Sequence, residues 1–208
     1  MDWDDVSVKA RPDELAVDGL LLRRLTKEDA APMQTGIRAS REHLVRFMPF
    51  ASADPDHLEF RRQWIDHVAE RFDQGSPFNY GIVKNGVVVG GCSIDPKAHG
   101  AAVMGYWVHV DHTRRGYASA VARALRDAAV DAGFSPVLLR HDQANIASKV
   151  IAEGLGSASF DPSRELTSTR SLRVSDRGTA RPRPVAKRHP SVAMSYLRRR
   201  APVMSLRG

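Results

Sequence analysis

Residues Gly105 to Ala118 read GYWVHVDHTRRGYA, and their order suits anion chemistry. A strand-like run (Met104, Tyr106, Trp107, Val108, Val110) leads into a short basic turn. The turn closes at Gly116, and a helical pattern begins at about Ala118. A loop in that position presents backbone N–H groups, and the start of the next helix adds the positive end of its dipole. Gly116 removes a side chain where the backbone must come close to a ligand. Arg114 and Arg115 bring positive charge to the same place. The plain alternative is a solvated basic turn joining a strand to a helix. His109, Asp111 and His112 stand at the strand end as candidate bases, His109 through the ordinary titration range of imidazole. Further along, Asn145 reads as a helix N-cap and Ser148 as a polar residue in the first turn of that helix.

These residues need elements to hold them. Leu20–Leu25 predicts a first strand, preceded by an N-terminal extension over residues 1–17. Thr26 then caps a helix whose first turn carries Glu28 and Asp29, as the helix dipole favours. A helical pattern over Arg41–Phe50 ends at Pro49. Another helix opens at Pro55-Asp56 and carries Leu58, Phe60, Trp64, Ile65, Val68 and Phe72. Phe78–Val83 and Val87–Cys92 predict a hairpin about the turn pair Asn85-Gly86. The strand ending at Val110 follows, then a helix over Ala118–Ala132 stopped by Gly133, a buried strand at Val137–Leu139 and a short helix over Asn145–Glu153. The order predicts an α/β fold: a mixed sheet, mostly antiparallel, with one parallel crossover around the 118–132 helix.

The strand–loop–helix string GYWVHVDHTRRGYA and the later DQANIASKVIAEGLG (Asp142–Gly156) together resemble the GNAT superfamily of N-acetyltransferases, in its Rim-type branch. LRRLTKEDAAPM and FNYGIV add to the likeness, which covers roughly residues 18–156. The resemblance implies a GNAT-like domain using acetyl-CoA as co-substrate, with no metal. It implies that the amides of Val108 and Val110 and the loop Arg114, Arg115, Gly116, Tyr117 and Ala118 hold the cofactor. An N–H near Val108 would face the thioester oxygen. By the same resemblance Asn145 would contact the pantetheine arm and Ser148 would protonate the leaving thiolate. Tyr80, Trp64 and Phe47 are candidates to line the acceptor pocket, although aromatics at such spacings also build cores.

Three departures from the family stand out. Thr113 and Arg114 occupy loop positions where the family usually has Gln or Arg, and often Gly. Val103 stands where Rim-type enzymes often carry a Glu base. After Gly156 the expected Phe and closing strand pair are absent from the sequence pattern. Residues 157–208 hold eleven Arg, one Lys and only three acids, a local charge of +9 within a chain total of +7. Without a lasting apolar period, this segment predicts disorder and leaves the final strands of the fold missing or unrecognisable. It reads as a basic tail for nucleic acid or ribosomes, as a tail without a role, or as the product of a reading-frame shift near codon 157; the last is favoured by the abruptness of the break.

Composition narrows the rest. Hydrophobic residues make up 42% of the 208, enough for a core. No run of about 18 apolar residues predicts a membrane span. The single cysteine, Cys92, excludes a disulfide framework or a zinc cluster and suits a reducing cytoplasm. The function expected is acetyl transfer from acetyl-CoA to a primary amine of a small molecule or a protein N-terminus, by a monomer or homodimer. A non-catalytic acyl-CoA-binding remnant, with its acceptor side lost, is the alternative. Nucleic-acid binding through the tail is a weaker one, because no aromatic residues interleave its basic ones.

Overall fold

The computed structural model describes residues 12–48, 50–53, 56–75, 77–155, 158–160 and 192–197. Strands β1 (Glu14–Val17) and β2 (Leu20–Arg23) form a hairpin. A 3-10 turn (Lys27–Asp29) leads into α1 (Ala30–Leu44), followed by α2 (Phe50–Ala53) and α3 (Leu58–Asp73). Strands β3 (Phe78–Lys84), β4 (Val87–Pro96) and β5 (Ala102–Val108) form an antiparallel meander. Helix α4 (Tyr117–Asp131) crosses over to β6 (Val137–Asp142), and α5 (Ile146–Gly154) follows. The sheet order is β1-β2-β3-β4-β5-β6-β8-β7, and only the β5–β6 pair is parallel. The mixed sheet with one crossover is thus the fold that the sequence predicts.

Helix faces follow the burial pattern. In α4, Val121, Leu125 and Ala129 recur one turn apart and are fully buried against β5 and β6, at about 1.5–3 kcal/mol for a side chain such as Leu125. In α1, Met33, Ile37, Ser40 and Leu44 are buried, and α3 presents Ile65 to the cluster that Met33, Ile37 and Leu44 form with the sheet. Asp29 fixes the start of α1. Its carboxylate accepts both terminal nitrogens of Arg23, at 2.6 and 2.8 Å, and the Thr26 N–H at 2.8 Å. Burial alone would raise the Asp29 pKa, but these donors outweigh it and hold the carboxyl below its ordinary range.

Several elements differ from expectation. The separate helix predicted at 41–50 is the end of α1, which tolerates Pro32 because Pro32 stands in its first turn. β1 lies inside the segment set apart as an extension, where its pattern is too short to read. β5 stops at Val108, two residues early, because the chain turns into a 3-10 turn at Val110–His112. Beyond Gly156, where the sequence pattern shows no strand, the backbone is extended at β7 (Ala158–Phe160) and β8 (Val192–Leu197). β8 pairs antiparallel with all of β6, from Val137↔Leu197 to Asp142↔Val192, and β7 pairs with β8. A six-residue strand does not stand out from Arg-rich surroundings until a partner is placed beside it. The rest of the 157–208 segment, and the reading of it as disordered or frame-shifted, lies outside the described residues. Among the described residues no helix is long and apolar enough to cross a membrane.

Candidate active site

β5 and β6 pair only at Ala102↔Val137, Val103↔Leu138 and Met104↔Leu139. Past these residues β5 stays with β4 as far as Gly90↔Val108, whereas β6 stays with β8. The two strands part, and a cavity of about 720 Å³ opens at the gap. Tyr106 and Trp107 of β5, Arg140 and His141 of β6, and Asn145 and Ser148 of α5 are among its lining residues. His109 N–H donates to the Val89 carbonyl at 2.8 Å. By the alternation of an antiparallel ladder, the Val108 N–H then points away from β4, toward the gap.

The loop follows the C-terminal end of β5, the end at which the strands part, and none of its residues is among those lining the cavity. Gly116 has φ +79°, the left-handed conformation that glycine adopts without penalty, and it is the N-cap of α4. Arg114 is also left-handed, at φ +58°, which explains why a glycine suits that position; for arginine the conformation costs about 1 kcal/mol. The first α4 bond counted from the loop runs from Ala120 N–H to the Gly116 carbonyl. The N–H groups of Tyr117, Ala118 and Ser119 therefore have no carbonyl one turn back within the helix. The Arg114 and Arg115 side chains are exposed beside them, and Arg115 donates to the Asp111 carbonyl at 3.1 Å. The His112 ring stacks on Tyr117, with centroids 6.2 Å apart. Burial, then the nearby Arg115, lowers the His112 pKa, so the ring is neutral near pH 7.

Ser148 lies where α5 meets the cleft. The Tyr106 hydroxyl donates to Ser148 Oγ at 3.3 Å. Burial raises the Tyr106 pKa, and the Ser148 bond offsets part of this, so the phenol stays protonated. Asn145 Oδ1 accepts the Ser148 N–H at 3.1 Å, making Asn145 the N-cap of α5 as its position predicts. Tyr106 is the residue that sequence reasoning missed here. Its signal was its place in the Gly-Tyr-Trp run, but its partner is 42 positions away.

Of the site residues named from the sequence, Asn145 and Ser148 line the cavity, whereas Val108, Val110, His109 and the loop Arg114–Ala118 do not. The His109 ring is not among the cavity-lining residues. Its Nδ1 accepts the Asp111 N–H at 3.1 Å, and the ring packs on α1, where a Cβ on Gly36 would come within 3.0 Å of it. The Val110 N–H is taken by Ser40 Oγ of α1 at 2.9 Å. Trp64, Phe47 and Tyr80 do line the cavity. Cys92 is buried there as well, and desolvation strongly raises its thiol pKa, which leaves it inert as a nucleophile. Among the described residues no group of His, Cys, Asp and Glu could hold a metal ion.

Comparison with known proteins gives the architecture its place. The family model described as "Acetyltransferase (GNAT) domain" matches residues 19–158. No curated protein matches the chain. Among solved structures, the chain is similar to a RimL ribosomal L7/L12 alpha-N-protein acetyltransferase in complex with coenzyme A. The identity is 15%, over 88% of this chain and 97% of that one, with a TM-score of 0.68. It is similar to the microcin C7 self-immunity acetyltransferase MccE in complex with acetyl-CoA and AMP, at 14% identity over 92% and 98% of the two chains, TM-score 0.68. Mycobacterium smegmatis RimJ in complex with CoA-disulfide gives 18% identity over 88% and 84%, TM-score 0.62. Identities this low carry the fold only. The family model, however, spans the sheet from β2 through α5, the part of the molecule that builds and bounds the cleft, and by that match the chain belongs to the GNAT acetyltransferases.

Proposed function

We propose that the protein transfers an acetyl group from acetyl-CoA to a primary amine. The observation that carries this reading is the parting of β5 from β6, with a left-handed glycine and the start of a fifteen-residue helix at one end and the Tyr106–Ser148 pair within it. The residues fit the cofactor: unpaired helix-start amides and two arginines suit a diphosphate, and an extended gap between strands suits its arm. Several structurally similar proteins were solved with coenzyme A or acetyl-CoA bound.

Acetyl-CoA, when bound, supplies an activated acyl thioester. The amides of Gly116, Tyr117 and Ala118 and the side chains of Arg114 and Arg115 hold its phosphates. The Val108 N–H donates to the thioester carbonyl oxygen, where negative charge grows as the amine attacks. The Val110 N–H is already committed to Ser40, so we assign Val110, with His109, to fixing the turn rather than to the cofactor. Asn145 caps α5 through Oδ1 and keeps its amide N–H groups for the pantetheine arm. Ser148 gives its proton to the departing sulfur, and Tyr106, donating into Ser148 Oγ, leaves the serine hydrogen directed to that task. The cavity's aromatic lining disfavours the ammonium form of the incoming amine by desolvation, which supplies nucleophile without a carboxylate at Val103.

Calorimetry with acetyl-CoA tests the reading. The wild-type chain is expected to bind, and Gly116→Val to bind at least about tenfold more weakly, a loss of about 1.4 kcal/mol. Absence of binding by the wild type would remove the central claim. Binding without turnover on any amine would instead favour the non-catalytic remnant.

A further inference from the structure

We infer that the acceptor is a primary amine borne on an apolar, aromatic-sized body without further positive charge, of the 2-phenylethylamine kind, and not a polyamine. This rests on the acetyltransferase reading and specifies its second substrate.

The floor of the acceptor side is one row of the sheet. Asn79 of β3 pairs with Ser93 of β4, and Ser93 pairs with Gly105 of β5, so the three share a face. All three line the cavity. A Cβ on Gly105 would meet nothing within 4 Å, so the row opens onto free space. Asn79 and Ser93 are half-buried and have no side-chain hydrogen bond among the described residues. They offer neutral donors and acceptors, suited to orienting an uncharged amine at the gap, just past Met104 where β5 leaves β6.

The walls are aromatic. Phe50 and Phe60 are 42% and 41% exposed, the only exposed phenylalanines among the described residues, and both stand at this cavity with Trp64. Apolar rings left open to water at one place mark where an apolar ligand gains by binding. Few charged groups stand in the lining. Arg61 and Arg140 contribute cations, and the buried Arg61 guanidinium lies 5.3 Å from the Trp64 ring centre. Asp142 is the one lining carboxylate among the described residues, and it stands on β6, accepting the Ala144 N–H at 2.8 Å. A second ammonium group on the acceptor would be desolvated against aromatic rings, and among the described residues the floor and the aromatic walls carry no carboxylate to receive it.

The reaction balances as an ordinary aminolysis. One ammonium proton passes to water before attack, the amine nitrogen bonds to the acyl carbon and gives its second proton to solvent as the C–S bond breaks, and Ser148 protonates the sulfur and is reprotonated from solvent, so that one proton is released net.

Two independent readouts test the inference on the full chain. The first is binding without cofactor, followed by tryptophan fluorescence, since Trp64 and Trp107 line the cavity. Saturable change is expected with 2-phenylethylamine and none with spermidine at equal concentration; the reverse, or no response to either, overturns the inference whether or not acetyl-CoA binds. The second is thiol release from acetyl-CoA, with the product identified by mass. 2-Phenylethylamine or a tripeptide led by Phe is expected to exceed spermidine at least tenfold in kcat/KM. Whichever of the first two is faster tells a free amine from a chain terminus. Equal or faster acetylation of spermidine, or acetyl-CoA binding with none of the three acetylated, refutes it. Ser93→Asp, which adds a carboxylate to the floor, is expected to shift the ratio toward spermidine by at least tenfold while acetyl-CoA affinity stays within twofold. An unchanged ratio in a folded Ser93→Asp protein also refutes it.

Discussion

In the proposed reaction the hydroxyl groups of Tyr106 and Ser148 divide one task between them. Tyr106 donates, Ser148 accepts, and the serine hydrogen is left for a second acceptor in the cleft. Ser148→Ala is therefore expected to lower kcat by about 10- to 100-fold, the scale of positioned proton transfer, while calorimetric affinity for acetyl-CoA changes less than twofold. Tyr106→Phe keeps the serine and is expected to lower kcat less than Ser148→Ala does. An unchanged kcat in Ser148→Ala would return that residue to an ordinary place in the first turn of a helix. Asn145 and Ser148 are visible in the sequence by their spacing of three, because a cap and its bonded amide are local chemistry. The partner of Ser148 is not visible, since nothing in the run Gly105–Val108 says which helix will pack across it.

At the scale of elements, α1 does more for the cleft than its polar sequence suggests. Ser40, fully buried, takes the Val110 N–H, and Gly36 lets the His109 ring lie against the helix. α1 thereby fixes where β5 ends and where the loop to Gly116 begins. Its own start depends on Asp29. Because the folded Asp29 titrates below its unfolded value, its contribution is fully present above about pH 4 and is lost as pH falls through the folded value. Asp29→Asn is expected to destabilise the protein by about 2 kcal/mol at pH 7, since it weakens charge-assisted bonds from Arg23. Denaturant titrations at pH 7 and pH 3 check this: the gap between variant and wild type should shrink in acid, and a constant gap would contradict it. The Thr26–Asp29 start of this region is legible as a cap signature. The run of α1 to Leu44 is not, because its buried Ser40 and Gln34 and its Gly36 break the apolar period that marks a helix face.

For the whole molecule, the decisive feature is what lies on the outer side of β6. β8 pairs with it along all six residues, and this holds β6 in place while β5 follows β4 away. A chain ending at Gly156 would leave that edge of β6 open. Such a chain is expected to melt at lower temperature, to associate in size-exclusion chromatography, and to bind acetyl-CoA more weakly than the full chain. Equal melting temperature and affinity would show that residues 157–208 contribute nothing to the sheet.

The sequence by itself determined the parts whose cause is local. Asn85-Gly86, with φ of +49° and +80°, makes the hairpin turn; Gly116 makes the left-handed entry to α4; the recurrence of Val121, Leu125 and Ala129 makes its buried face. Backbone conformational limits and side-chain periodicity act within a few residues, so they can be read from the chain alone. Only the tertiary structure decided the rest. It joined Val110 to Ser40 across 70 positions and Tyr106 to Ser148 across 42, set β8 beside β6, and opened the gap between β5 and β6. Each of these depends on which surfaces pack together, and packing is a property of the whole chain that no local pattern encodes.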